Sequence, residues 1–209
     1  RGKMDRRDDY KEGIFINRAG KGRYQKKGDI EKVIRYVLRE RSDEDRRSEL
    51  ISWGAFGLPE WESAEGIIKA FCDVQNCYRR KGRFGRRLDH EIYNFTPFEV
   101  ESLKSKSLLV LEKAARKMAG MIYSEGYCVI YGIHQEDEGG VHVHFVVNTV
   151  SWRTGRKRHE NMERTRFHRQ LFARIVRHEM RHLLDLDELF SREDLPVPRT
   201  AEELEASLS

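Results

Sequence analysis

The sequence predicts an α+β domain, a two-layer α/β sandwich in which a central antiparallel sheet is flanked by helices, and three features carry that expectation. Leu108, Leu111, Ala115, Met118 and Ile122 recur at three- and four-residue intervals and form one apolar helical stripe. Tyr127 to His134 and Val141 to Val150 are strand-like runs separated by an acidic, glycine-ended connection, 135–140, so they pair as an antiparallel hairpin. No internal repeat is present, which leaves a mixed sheet covered by helices.

The remaining elements follow in chain order. Residues 1–30 are rich in Gly, Lys and Arg, and only Gly13 to Asn17 reads as a short strand, so the first 28 residues form a basic arm that is flexible or ordered by a ligand. Asp29 is a plausible N-cap for a helix over about 30–41 that carries Ile30, Val33, Ile34, Val37 and Leu38. Ser52 to Gly57 reads as a loop, after which Ser63 caps a helix bearing Ile67, Ile68, Phe71, Val74 and Tyr78. A strand over 88–96 ends at Pro97, and Gly126 stops the Leu108 helix. A basic turn, Ser151 to His159, leads to a last helix over about 162–184.

With 209 residues, one domain is expected over 1–182, followed by an acidic tail over 183–209. The tail holds eight acids against two bases; set against the overall +5, that leaves +11 on the body. Such a body suits a polyanionic partner, because neutralised phosphates release counterions and drive association. No apolar run is long enough to cross a bilayer, and residues 1–10 lack the apolar stretch of a secretory signal, so no membrane insertion and a cytoplasmic location are expected. Cys72, Cys77 and Cys128 form neither an even set nor a Cys-x-x-Cys spacing and read as reduced packing residues.

The chemistry is concentrated in histidines. Alternation along Val141 to Asn148 points His142 and His144 to one face and Val141, Val143, Phe145 and Val147 to the other. His134 ends the preceding strand, and a reversal through Gly139 and Gly140 brings it to the same side. Three neutral imidazoles leave open positions on a divalent ion for phosphate oxygens or water, whereas an isolated His-x-His pair is more commonly a solvated face.

His134, the glycine-ended loop and the run Val141-His142-Val143-His144-Phe145-Val146-Val147-Asn148-Thr149-Val150 resemble the signature of HUH endonucleases, and are most similar to relaxases of the MobA/MobL, MOBP-like group. Two further segments resemble the same family: Arg35-Tyr36-Val37-Leu38-Arg39, where the family places a helical nucleophilic tyrosine, and His90 to Phe95, where Asn94 replaces the usual serine. The resemblance implies the HUH relaxase fold, metal-assisted cleavage of one DNA strand at a transfer origin and a 5′-phosphotyrosyl intermediate. It implies Tyr36 as nucleophile; Tyr24, the runner-up, and Tyr10 are rivals in the basic arm that could fold over DNA but have no helix or family match. His134, His142 and His144 would be ligands of Mg²⁺ or Mn²⁺, and His90 would orient a ligand, contact phosphate or assist proton transfer. DNA, accessory mobilisation proteins and a coupling protein are the implied partners.

Arg35 and Arg39 beside Tyr36, and Arg153, Arg156, Lys157 and Arg158 in the turn, are expected to contact DNA phosphates. A second basic cluster runs from Arg79 to Arg87, and Trp53, Phe84 and Trp152 are candidates for stacking on bases or closing the core. His178-Glu179-Met180-Arg181-His182 matches the spacing of zinc proteases, but Arg181 fills a normally uncharged position and the segment reads as the solvated face of a helix. Asp137 and Glu138, acids in the hairpin connection, read as solvated. The competing functions are a replication initiator or transposase of the same superfamily, and a non-catalytic, metal-responsive DNA-binding module.

Overall fold

The computed structural model describes residues 15–18, 24–40, 48–57, 63–78, 85–102, 107–159 and 162–190. Five strands, β1 (Phe15–Arg18), β2 (Ser48–Phe56), β3 (Leu88–Phe95), β4 (Val129–Glu136) and β5 (Val141–Asn148), form one antiparallel sheet in the order β1-β3-β5-β4-β2. The helices are α1 (Lys27–Val37), α2 (Ala64–Cys77), α3 (Pro97–Ser102), α4 (Ser107–Ser124) and α5 (Met162–Phe190).

Strand alternation divides the sheet into two chemically different faces. On one, Tyr93, Phe95, Tyr131, Ile133, Val143, Phe145 and Val147 pack with Leu111, Ala115, Met118 and Ile122 of α4 and Phe172 and Val176 of α5. On the other, Leu88, Cys128, Ile130 and Val146 pack against Ile30, Val33, Ile34 and Val37 of α1 and Ile67 and Phe71 of α2. The α+β class and the antiparallel sheet flanked by helices follow the expectation, but helices pack on both faces, so the layers are three rather than the two expected. The same face that carries Ile130 and Val146 continues along β4 and β5 into His134, His142 and His144, so the site begins where the α1–α2 core ends.

The hairpin holds its predicted pairing, with His134 directly opposite His142. On the other side of β5, Asn94 faces His142 and Ile92 faces His144. Asn148 is fully buried. Its amide accepts from Gln75 Nε2 at 3.0 Å and from the Val150 backbone N–H at 3.1 Å, and donates to the Phe71 carbonyl at 3.0 Å, locking α2 onto the end of β5.

Several local expectations change. Ser52 to Gly57 is not a loop through Phe56: it belongs to edge strand β2, which pairs with β4 and is irregular between Leu50 and Ser52. Gly54, read as a loop signal, instead marks close approach, since a Cβ there would lie 2.6 Å from the Tyr131 hydroxyl oxygen. Asp29 is not the N-cap of α1. Lys26 occupies that position, and the Asp29 carboxylate accepts the Lys26 backbone N–H at 2.8 Å from the first turn. The helix ends at Val37 rather than near 41, because Arg39 adopts a left-handed backbone with φ 56°. Ser63 does cap α2, accepting the Gly66 N–H at 3.2 Å. Helix α5 runs to Phe190, past the expected boundary at 182; the rest of the acidic tail, Tyr10, Arg79 to Phe84 and most of the basic arm lie outside the described residues.

Gly132 lets the end of α1 touch β4: a Cβ there would lie 2.7 Å from Val37 Cγ1 and 3.0 Å from the Val37 carbonyl oxygen. Gly132→Ala is therefore expected to destabilise the fold by about 1–3 kcal/mol through overpacking. Gly28→Ala, within α1 and with nothing within 4 Å of the added carbon, is expected to raise stability by about 0.4–1 kcal/mol. Urea unfolding of the two variants should shift in opposite directions; a shift in the same direction contradicts the close-approach argument.

Candidate active site

Four imidazoles from three adjacent strands gather on the α1 side of the sheet. The rings of His134 and His144 have centroids 4.4 Å apart, His90 and His144 5.2 Å, and His142 and His144 6.1 Å. The neighbouring strands of an antiparallel sheet bring them together, because His134, His142 and His144 share a face and β3 places His90 diagonally across from His144. His90, His134 and His144 are buried, while His142 at the rim is partly exposed.

Each ring is held by a second contact. His134 Nε2 lies 2.7 Å from the Val37 carbonyl, which only accepts, so Nε2 carries the proton and donates it. That carbonyl belongs to the last turn of α1, where oxygens lack an intrahelical partner. His90 Nε2 lies 3.0 Å from His144 Nδ1, and His90 Nδ1 lies 3.3 Å from the Tyr24 hydroxyl. His142 Nε2 lies 3.1 Å from Glu136 Oε1. Two buried nitrogens, His134 Nδ1 and His144 Nε2, have no hydrogen-bond partner among the described residues.

Burial disfavours the charged imidazolium and pushes both His90 and His134 down to about 4. Neighbouring His134 adds to the effect at His90; at His134 the Val37 hydrogen bond opposes burial, while Arg39 and His142 reinforce it. His144 is driven well below the usual histidine range by burial first, then by the surrounding histidines and Arg39. The three buried rings are accordingly neutral near pH 7, the state in which imidazole offers a lone pair.

Tyr36, on the last turn of α1, lies above this cluster. Its ring centroid is 5.7 Å from His144, 6.1 Å from His134 and 6.4 Å from His90, and the residue is 39% exposed, enough to meet a ligand. The Arg39 guanidinium covers the Tyr36 ring with Cζ 5.0 Å from its centroid, and its Nη2 donates to Ser48 Oγ on β2. Tyr24 enters from the residue stretch before α1, its ring 6.2 Å from His90.

The donor set is suited to a divalent ion without being a finished shell. Among the described residues, no three His, Cys, Asp or Glu side chains are arranged to hold a metal as they stand. The two orphaned imidazole nitrogens, on His134 and His144, are nonetheless the kind of buried group that a bound cation satisfies, and His142 with Glu136 borders them. His134, His142 and His144 are thus brought together with Tyr36 and His90. Glu136 was not singled out by sequence; strand alternation, which places it two residues beyond His134 on the same face, is the signal that points to it.

The basic residues divide. Arg153 and Arg156 are exposed in the turn, with Arg153 lying 5.1 Å over the ring of Trp152, which stacks on Tyr123; Lys157 is exposed beside them. Arg158, expected to contact DNA phosphate, is buried instead. It is 2% exposed and pairs with Asp89 at 2.8 Å and Glu91 at 3.4 Å on the α5 face of β3, so its charge is already compensated inside the fold and cannot meet DNA phosphate. Glu91 also meets His168 Nδ1 at 3.2 Å. Arg35 makes ion pairs with Glu31, Glu40 and Glu65 at 2.6–3.0 Å and is spent on anchoring α1. In the zinc-protease-like segment, His178, Arg181 and His182 are exposed as expected. Glu179 is buried and pairs with Lys117 of α4, so it joins two helices rather than facing solvent. Trp53 is exposed on edge strand β2. Asp137 and Glu138 are exposed in the hairpin turn.

The family model "Relaxase: MobA/VirD2-like, nuclease domain" matches residues 36–179, a span that contains Tyr36 and all four clustered histidines. No curated protein sequence matches the chain. Among solved structures, a conjugative relaxase TrwC in complex with OriT DNA, in a metal-free structure, matches with a TM-score of 0.47 and 12% identity over 92% of this chain and 89% of that one.

Histidines held neutral in the folded state bind fewer protons than the unfolded chain between the ordinary value of 6.5 and about 4. Their contribution to stability is complete above pH 6.5 and is lost as pH falls toward 4, by roughly 3 kcal/mol for each group at the acid limit. Urea midpoints measured in EDTA at pH 7.5, 6 and 4.5 should fall, and His90→Gln should flatten the fall; parallel curves for the two proteins contradict it.

Proposed function

The chain belongs to the relaxase family with the MobA/VirD2-like nuclease domain, a family of DNA-nicking enzymes, and we propose that it cuts one strand at a transfer origin through Tyr36. The observation that carries this reading is a partly exposed phenol ring within 5.7–6.4 Å of three buried, neutral imidazole rings. The Tyr36 oxygen attacks phosphorus, the bond from phosphorus to the 3′-oxygen breaks, and the phenolic proton is exchanged for one on the departing 3′-hydroxyl. The product is a 5′-phosphotyrosyl link. Because one phosphate ester replaces another, the 3′-hydroxyl can reverse the step and rejoin the strand without an external energy source.

His134, His142 and His144 would hold the divalent ion, Mg²⁺ or Mn²⁺, which when bound polarises the phosphodiester and offsets charge in the transition state. The chain's own residues prepare that site. Val37 holds His134 in the tautomer whose Nδ1 lone pair is free. If His144 donates from Nδ1 to His90 Nε2, and His90 donates from Nδ1 to the Tyr24 oxygen, the Nε2 lone pair of His144 is free as well. His90 in this reading is a positioning residue for His144, and Tyr24 holds His90. The exposed Arg153, Arg156 and Lys157 carry the rest of the strand through phosphate contacts.

Tyr36→Phe is expected to abolish covalent protein–DNA adducts on origin oligonucleotides with Mn²⁺, resolved on denaturing gels, while leaving DNA affinity within about threefold, because only one hydroxyl is removed. Chelation should stop adduct formation and metal return should restore it. Adducts that persist in Tyr36→Phe and vanish in Tyr24→Phe would move the nucleophile to Tyr24.

A further inference from the structure

Among the described residues, two non-glycine residues have left-handed backbones, Tyr24 (φ 63°) and Arg39 (φ 56°). They bracket α1, and both turn their side chains toward the histidine cluster. Such a conformation costs free energy for a residue with a Cβ and persists only where the surroundings hold it, which makes an outlier at a functional site informative.

Arg39 also differs electrostatically from its neighbour one turn earlier. Arg35 is matched by three carboxylates, whereas no carboxylate pairs with Arg39 among the described residues. Arg39 is partly buried. One end of its guanidinium is tied to Ser48, its Cζ lies over the Tyr36 ring, and its Nε is buried with no acceptor among the described residues. Its charge is close enough to weigh against protonation of both His134 and His144. A guanidinium stays charged at any physiological pH, so this is a permanent cation beside the phenol with donors unused. A polyanion entering the site supplies what the protein withholds.

We infer that Arg39 binds a non-bridging oxygen of the scissile phosphate and holds it against Tyr36, with Ser48 fixing the far end of the guanidinium. This rests on the reading of Tyr36 as nucleophile. The ligand class is a phosphodiester within a single DNA strand, whose non-bridging oxygens gain charge as the fifth bond to phosphorus forms, so a donor already in place there accelerates the step. The fork geometry of Arg suits two oxygens of one phosphate better than the point charge of Lys.

Two readouts on the full chain separate this role from packing. The first is the single-turnover rate of adduct formation at saturating origin oligonucleotide and Mn²⁺. Arg39→Gln should lower it by about 10²-fold, the scale of losing one preorganised donor. The second is the salt dependence of oligonucleotide binding in the Tyr36→Phe background, where adding Arg39→Gln should reduce the slope of log affinity against log salt by about 0.7, one phosphate contact on a single strand. Arg39→Lys keeps the charge without the fork and should lose roughly tenfold in rate while keeping the slope; it is the variant read if Arg39→Gln does not fold. An unchanged slope in the Gln variant, or an unchanged saturated rate in either variant, overturns the assignment. Because the slope is measured without the Tyr36 hydroxyl, adducts persisting in Tyr36→Phe would count against the nucleophile and leave the phosphate contact separately readable.

Discussion

The contact between the last turn of α1 and β4 is the constraint on which the site depends. At Gly132 the strand has no side chain, the Val37 carbonyl comes down onto it, and that carbonyl accepts the hydrogen bond from His134 Nε2–H. One short stretch of backbone thereby satisfies a helix-end acceptor, sets the tautomer of a histidine, and positions the preceding residue, Tyr36, over the cluster. Moving α1 by the width of a methyl group would disturb all three together.

The sheet makes the polar face possible by being well supported on the other side. Val143, Phe145 and Val147 bury into the α4–α5 core, while on the opposite face His142 and His144 present imidazoles toward α1 and Val146 joins the α1–α2 core. Behind β3, Asp89 and Glu91 meet Arg158 and His168. For His168, burial opposes the charge, but the hydrogen bonds to Glu125 and Glu91 prevail and raise its pKa. The two faces thus treat histidine in opposite ways. On the α5 face carboxylates favour the charged ring; on the α1 face burial and neighbouring positive charge favour the neutral one.

The distribution of arginines follows the same logic. Arg35 and Arg158 are both committed to carboxylates, the first on the surface of α1 and the second within the core, and each serves the scaffold. Arg39 is held in a costly backbone conformation without such a partner among the described residues, directly over an aromatic ring that faces the histidines. Position along the chain does not separate these three residues; the location of the nearest carboxylate does.

What the sequence determined by itself is the part governed by local periodicity: the α4 stripe from Leu111 to Ile122, though not Leu108, which is exposed, the hairpin, the shared direction of His142 and His144, and the arrival of His134 opposite them. These follow from the 3.6- and two-residue repeats, which need no distant contact. The edge strand β2 escaped because its glycine resembles a turn signal until Tyr131 is seen packed against it. Arg158 looked like its exposed neighbours because nothing local shows that Asp89 and Glu91, nearly seventy positions earlier, lie beneath it. The tertiary structure alone decided which charges are already paired, which imidazole nitrogens are left without a partner, and that the end of α1 meets the histidines, since each depends on packing between segments far apart in the chain.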